Sequence, residues 1–317
     1  MIKKILIISH RDADGITSAV SYIWNYLEIN NISKNTANIY KYSNIIDFQY
    51  EEDILKIFSK KKININNYKQ IILLDLSLPK EIMISFFKKF KKDFIWIDHH
   101  KGPNKDFEKY FSSKNIKING IRDSNHAACF LVWKFFKKGA PEFVEYIQDM
   151  DLWKFKKEDS KYFIAGLKDL KEEYKRTNIK YILDLINFDN FSKQKKKIIE
   201  KGKTIYEHQR NHVLSSLYAG KIINFSGRKT FIINTLFFAS VFADFFFNHK
   251  DKKYKDVEIL IIWNKEYKTG LFKFSLRKKE SSKIDLSKIA KKYGGGGHPS
   301  AAAFNLKDLS KLNFKDY

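Results

Sequence analysis

His10, Asp12 and Asp14 alternate at the end of a short apolar run, Ile5-Leu6-Ile7-Ile8, and Gly15 follows them. In an extended chain these three side chains point to one side, because successive side chains alternate with period two. Two carboxylates and an imidazole converging there suit a hard or borderline divalent cation. A second apolar run, Phe94-Ile95-Trp96-Ile97, ends in Asp98-His99-His100, three adjacent groups able to bind metal or carry protons. A third, Gln70 to Leu74, ends at Asp75. Bland readings exist for each. Adjacent histidines can be solvated loop residues, and Asp14 can cap a following helix. A cap accounts for neither His10 nor Asp12. Two more acids, Asp149 and Asp151, follow a helix expected over Pro141 to Gln148; acids beyond a helix end are usually solvated, so they are the weaker candidates.

The elements that must position these groups are legible from periodicity. After Gly15 the apolar residues Ile16, Ala19, Val20, Ile23 and Leu27 adopt helical spacing. Pro79 sits at the first turn of a helix expected over Lys80 to Phe90. Strands alternating with helices imply a parallel sheet, and open parallel sheets bind ligands beyond the carboxyl ends of their strands. Residues 30–69 are polar and rich in Asn and Lys, with one helix expected near Glu51 to Ser59. Before the helix that runs to Phe136, Ser124 or Asn125 is a cap candidate, and His126 is open between substrate contact and ordinary first-turn residue.

Phe191 to Leu217 reads as one long lysine-rich helix connecting two domains. From Gly220 a second unit is expected: a hairpin from Lys221 to Ile233, a helix over Leu236 to Phe247, and a hairpin from Val257 to Arg277. Ser275 and Arg277 share the polar face of its last strand. In so arginine-poor a chain Arg277 is a candidate phosphate fork, with an ordinary surface arginine as the alternative. A helix over Leu286 to Tyr293 then meets Gly294-Gly295-Gly296-Gly297-His298, and Pro299 stands where a further helix is expected to begin. Glycine-rich backbone leading into a helix is an anion site in the making, the alternative being a flexible linker.

Composition bounds the rest. The 317 residues leave room for two domains, and the sole cysteine, Cys129, excludes an intramolecular disulfide framework and a cysteine-ligated zinc. A reducing, cytoplasmic setting is therefore expected. Ile5 to Ile8 is too short for a secretory signal, and the apolar stretch from Phe231 to Phe247 contains Asn234 and Asp244, so no membrane partner is expected. The formal charge of +24 invites a polyanion, yet only six of the sixty basic residues are arginine and the lysines are dispersed. The charge supports an anionic substrate and names none.

Taken in order, His10-x-Asp12-x-Asp14-Gly15, Asp75, Asp98-His99-His100, Asp149 and Gly294 to His298 resemble the motif series of the DHH–DHHA1 phosphoesterases. That family includes RecJ-type exonucleases, nano-RNases, pAp phosphatases and cyclic-dinucleotide phosphodiesterases. The resemblance covers essentially the whole chain. It departs at Ala303, where the family commonly has glycine. It implies an α/β fold: a parallel-sheet DHH domain over residues 1–190 with helices on both faces, a connector helix over 191–219, and a smaller DHHA1 domain with a mixed sheet over 220–317.

The resemblance further implies two Mn²⁺ ions. His10, Asp12 and Asp75 would hold one, and Asp14, Asp75, His99 and Asp149 the other, with Asp75 bridging. Two such cations, about 3.5–4 Å apart, clamp a phosphoryl group and activate water as hydroxide. By their ligand types alone these residues would also admit Mg²⁺, Fe²⁺ or Co²⁺. Asp98 would orient His99, and His100 would meet the scissile phosphate or act as general acid. Asp151 is ranked behind Asp149. Arg277, Gly295, Gly296, Gly297 and His298 would hold the far end of the substrate. The expected activity is hydrolysis of short nucleotides or oligonucleotides, releasing 5′-mononucleotides; a homodimer is compatible with it. The alternatives are a RecJ-like exonuclease, a pAp phosphatase or a cyclic-dinucleotide phosphodiesterase, then a pyrophosphatase, then a non-catalytic lysine-rich nucleic-acid-binding protein.

Overall fold

The computed structural model of the protein describes residues 4–316, apart from 51, 101–106, 108, 153, 174–181, 183–187, 237–238 and 313–314. The chain divides into two compact units, Met1–Ile205 and Tyr206–Tyr317, and the division falls inside one long helix.

In the first unit, strands β1 (Lys4–His10), β2 (Ser43–Phe48), β3 (Tyr68–Leu74) and β4 (Phe94–Ile97) form a parallel sheet in the order β2-β1-β3-β4. The register sets Ile7 beside Ile45 on one side and Ile72 on the other. Strands buried on both faces read as continuous apolar runs, and period-two alternation divides each run between two cores. Ile5, Ile7, Ile72, Leu74, Ile95 and Ile97 pack beneath helices α1 (Ala13–Ile29), α5 (Ala128–Phe135) and α6 (Glu142–Asp151). Leu6, Ile8, Ile71, Leu73, Phe94 and Trp96 face α3 (Ile54–Lys60) and α4 (Lys80–Phe90). The expected parallel sheet with helices on both faces is therefore present. So is a strand that was not expected: β2, with the short helix α2 (Thr36–Tyr42), lies inside the polar stretch and forms the sheet edge.

Helix α7 (Ser160–Glu173) follows, and then α8 (Phe188–Ser216), the long helix predicted over Phe191 to Leu217. The second unit holds β5 (Lys221–Phe225), β6 (Arg228–Asn234), β7 (Ile259–Lys265), β8 (Phe272–Lys278), β9 (Gly296–Gly297), β10 (Ala301–Leu306) and β11 (Lys315–Asp316). They form a mixed sheet in the order β11-β5-β6-β7-β8-β10-β9, in which only the β6–β7 pair is parallel. Helix α9 (Ala239–Phe247) packs Phe246 on Phe231, and α10 (Leu286–Lys292) buries Leu286, Ile289 and Ala290 on a core with Phe274 and Phe304. The apolar stretch from Phe231 is thus a buried strand followed by a helix, and among the described residues no helix is long and apolar enough to cross a membrane.

One expectation fails here. The residues after Pro299 form strand β10, not a helix. Ala302, Phe304 and Leu306 are its inward positions, and it pairs with β8 on one side and β9 on the other. Two ladders of backbone hydrogen bonds and three buried side chains outweigh the helix preference of an alanine run, which is at most a few tenths of a kcal/mol per residue, roughly, over most alternatives.

Candidate metal centre

The three strand exits meet as the sheet topology requires. β1 delivers His10, and Asp12 turns the chain into α1: its Oδ1 accepts the Gly15 N–H at 2.8 Å, while its Oδ2 lies 2.8 Å from His10 Nδ1. Asp12, not Asp14, is therefore the cap of α1. Gly15 is fixed by close approach, since a Cβ there would stand 2.2 Å from the His10 carbonyl oxygen. Asp14, in the first turn, is buried and reaches across the fold. Its two carboxylate oxygens accept the Ala128 and Cys129 N–H groups at 2.8 Å each, capping α5. Neither Ser124 nor Asn125 fills that role. His126 instead pairs with Asp123 at 3.0 Å and stacks on Phe130.

Asp75 follows β3 with φ +61°, a left-handed backbone that Asp and Asn enter more readily than most residues. The Asp75 N–H donates to the Ile97 carbonyl at 2.9 Å, which holds this strained residue at the mouth of the sheet. Its carboxylate is 1 % exposed and lies 3.7 Å from His10 Nδ1, 3.2 Å from His99 Nε2 and 3.8 Å from His100 Nδ1. Asp75 is thus common to two groupings, with His10 and Asp12 and with His99 and His100, and His99 also meets Asp14 and Asp151.

Two expected roles change. Asp149 does not enter the centre. Helix α6 runs through Asp151, beyond the end read from sequence, and residues two apart on a helix point about 200° apart, so only one of the pair can face the site. Asp149 accepts the N–H groups of Lys156 and Lys157 at 2.8 and 3.0 Å and the Ser160 hydroxyl, tying down the turn before α7. Asp151 faces the site, with Oδ2 3.3 Å from His99 Nε2. Asp98, in turn, bonds the His100 ring and not the His99 ring. Its Oδ1 takes His100 Nδ1 at 2.8 Å and the backbone N–H groups of His99 and His100 at 2.8 and 3.2 Å.

The donor set fits a divalent cation. Asp75 Oδ1 and Asp151 Oδ2 are buried without a hydrogen bond among the described residues. A buried carboxylate oxygen left unpaired is costly unless a cation meets it. Burial, followed by the charges of Asp14, Asp12, Asp151 and Asp98, raises the Asp75 carboxyl well above its usual value, so the acids are crowded beyond what the protein alone neutralises. Burial also lowers the His99 imidazole, favouring the neutral form that ligates metal. For His100 burial acts the same way, but the Asp98 hydrogen bond and charge outweigh it and the ring is raised.

In the second unit, Arg277 on β8 donates to the Leu276 carbonyl and to the Ser240 hydroxyl at 2.9 and 3.1 Å. No carboxylate forms an ion pair with it among the described residues, and burial pushes it down to about 10. Both of these partners are neutral, so they leave the guanidinium charge unbalanced. The glycine run is shaped by strand pairing. A Cβ at Gly295 would strike the Ala303 carbonyl at 2.1 Å, and Gly297 has φ +134°. Gly296 pairs with Ala303 and faces open space, and His298 closes the turn into β10 through its backbone bonds with Ala301.

Two residues that reasoning from sequence did not single out belong to this neighbourhood. Arg11, between two of the ligands, pairs with Asp47 and Glu52, and the Tyr50 ring lies against His10 and His100. The only signal for Arg11 was its rarity as an arginine; Tyr50 offered none.

The comparisons agree with this geometry. Residues 4–167 match the DHH family N-terminal domain and residues 245–314 the DHHA1 domain. An uncharacterized protein, R106, of Acanthamoeba polyphaga mimivirus is 25% identical over 271 residues, 82% of this chain and 58% of that protein, so the chain spans less than two thirds of that relative. Among solved structures, the DHH domain of a member of the s1p family of ribosomal proteins superposes with a TM-score of 0.61 at 15% identity, covering 95% of this chain and 82% of that one. The pGpG-specific phosphodiesterase PggH of Vibrio cholerae gives 0.50 at 16% identity, covering 96% and 93%. With the two domain models matched in order along it, the chain belongs to the DHH–DHHA1 phosphoesterase family.

Proposed function

We propose that the protein is a metal-dependent phosphoesterase that hydrolyses short nucleotides or oligonucleotides and releases 5′-mononucleotides. The observation that carries this is the gathering of His10, Asp12, Asp14, Asp75, His99 and Asp151, two of whose buried carboxylate oxygens accept no hydrogen bond among the described residues. His10, Asp12 and Asp75 would hold one divalent cation, and Asp14, Asp75, His99 and Asp151 a second, with Mn²⁺ the ion of choice and Mg²⁺ or Co²⁺ as substitutes. Bound there, such a pair neutralises phosphoryl charge and lowers the pKa of water.

The chain's own groups supply the rest. Asp75, held by the Ile97 carbonyl, would serve both cations. Asp98 fixes the His100 ring through Nδ1, so His100 presents its proton at Nε2 to the phosphoryl or leaving oxygen. Arg277 would offer a planar two-donor fork to a phosphate, and Gly295, Gly296, Gly297 and His298 on the same unit would complete the hold on the far end of the substrate. A short substrate is in keeping with the fold shared with PggH, a pGpG-specific phosphodiesterase.

The test is turnover of purified protein with Mn²⁺ on a dinucleotide such as pApA, pAp, cyclic dinucleotides, a long single strand and pyrophosphate. The dinucleotide is expected to be cleaved faster than the long strand, and Asp75→Ala to abolish cleavage. Robust Asp75→Ala activity would refute the two-cation reading, and faster cleavage of long strands would refute the short-substrate one. Salt-sensitive binding of long nucleic acid with no turnover would favour a binding protein instead.

A further inference from the structure

Tyr50 occupies a position that folding alone does not explain. Its ring centroid lies 5.5 Å from that of His10 and 6.2 Å from that of His100, one histidine from each side of the centre. Phe48, at the end of β2, backs it at 6.5 Å. Yet the residue is 46% exposed, so part of it is open to water, while burial and the nearby charges of Asp98, Asp75 and Asp12 raise its hydroxyl.

The backbone that carries it is pinned by charge. Arg11 Nε meets Asp47 Oδ2 at 2.5 Å, just before Tyr50 in the chain, and its guanidinium meets both Glu52 oxygens at 2.9 and 3.0 Å, just after. Glu52 in turn accepts the Gln49 N–H at 2.9 Å and returns its own N–H to the Gln49 carbonyl at 2.9 Å. The Arg11 N–H donates to the Phe48 carbonyl. Because Arg11 stands between His10 and Asp12, the segment bearing the aromatic ring is tied to the segment bearing the metal ligands. A partly exposed ring on a backbone held in place is a preorganised platform for a planar ligand.

We infer that Tyr50 is a substrate-binding residue, its ring stacking on the base of the nucleotide whose phosphate lies at the metal centre. The inference rests on the phosphoesterase reading and adds a base-recognition element beside the metal centre. Stacking tolerates every base, because each has a π face, so Tyr50 confers affinity for nucleotides over plain phosphate esters with little choice among bases.

The experiment compares wild type with Tyr50→Phe, Tyr50→Trp and Tyr50→Leu, measuring KM and kcat for pApA in Mn²⁺, 5′-AMP affinity in Mn²⁺, and Mn²⁺ affinity alone. Removing one base–aromatic stack weakens nucleotide binding by roughly fivefold to a hundredfold. Tyr50→Leu is therefore expected to raise KM and the AMP dissociation constant within that range, with kcat and Mn²⁺ affinity within about twofold. Phe and Trp should retain wild-type affinity. Unchanged KM and AMP affinity in Tyr50→Leu would overturn the inference, as would a Phe variant as impaired as Leu, or a loss of Mn²⁺ affinity that traces the effect to packing. Absence of turnover in wild type would fail the phosphoesterase reading alone; AMP binding across the same variants then decides the role of Tyr50.

Discussion

Asp75→Asn is expected to stabilise the metal-free protein and to remove its response to metal. Asn is the informative substitution because it tolerates the left-handed φ of +61° that Ala would strain. The ligand atoms of His10, Asp12 and Asp75 lie within 4.8 Å of one another. Two carboxylate charges at that separation repel by about 3.5 kcal/mol at an effective dielectric near 20. His10 offsets part of this, which leaves a gain of about 1–3 kcal/mol for neutralising Asp75 in chelator, or about 2–4 °C in Tm per kcal/mol. The raised Asp75 carboxyl also fixes the pH dependence. Between the unfolded carboxylate value, about 3.9, and the raised folded value, the native state binds the extra proton, so metal-free stability falls as pH rises. That slope should flatten in Asp75→Asn. With Mn²⁺ the order inverts: at a hundred times its dissociation constant a ligand stabilises wild type by about 2.7 kcal/mol, and the variant gains little. Thermal denaturation in chelator and in Mn²⁺, at several pH values, reads all three effects. A variant less stable than wild type in chelator, or one that gains as much from Mn²⁺, would refute the reasoning.

The acids at the end of α6 should separate by assay. Asp151→Asn should weaken Mn²⁺ binding about tenfold or more in titration calorimetry while melting near wild type, whereas Asp149→Asn should lose about 1.5–3 kcal/mol of stability and keep its metal affinity. Gly15→Ala must move the His10 carbonyl, and a loss of about 1–3 kcal/mol with weakened Mn²⁺ binding is expected; a variant that binds Mn²⁺ normally would show that the turn yields. Asp98→Asn removes the charge that raises His100, so the alkaline limb of the kcat–pH profile should shift to lower pH, with kcat down about tenfold to a hundredfold, in keeping with the usual size of general acid catalysis. An unmoved alkaline limb would assign that limb to another group.

Much of the site was legible because its residues end strands whose apolar runs are unambiguous. Ile5 to Ile8, Ile71 to Leu74 and Phe94 to Ile97 are buried on both faces, and such runs announce themselves. Strand β2 does not. An edge strand with Asn44 and Asp47 among its six residues, set in a lysine- and asparagine-rich stretch, carries too few apolar positions to show a period. Asp149 was favoured over Asp151 by motif order alone, and order does not say which of two alternate acids on α6 faces the site. Adjacency in Asp98-His99-His100 likewise could not say which ring the carboxylate would bond, since that follows from the bend of the backbone after β4. After the glycine run, local alanine preference pointed to a helix while a central place in the sheet decided for a strand. Tyr50 lies in contacts made only when β1, β2 and the loop after β4 come together.

Asp14 serves as ligand candidate and as N-cap at once, and that double duty makes α5 a reporter. Its oxygens hold the Ala128 and Cys129 amides from 114 and 115 residues away in sequence. A cation drawing on the same carboxylate competes for its electron density and restrains its rotation together. Loading of the centre should then be recorded as altered solvent exchange of two amide protons in the first turn of α5. Occupancy of the centre becomes visible without turnover, from the first turn of α5 alone.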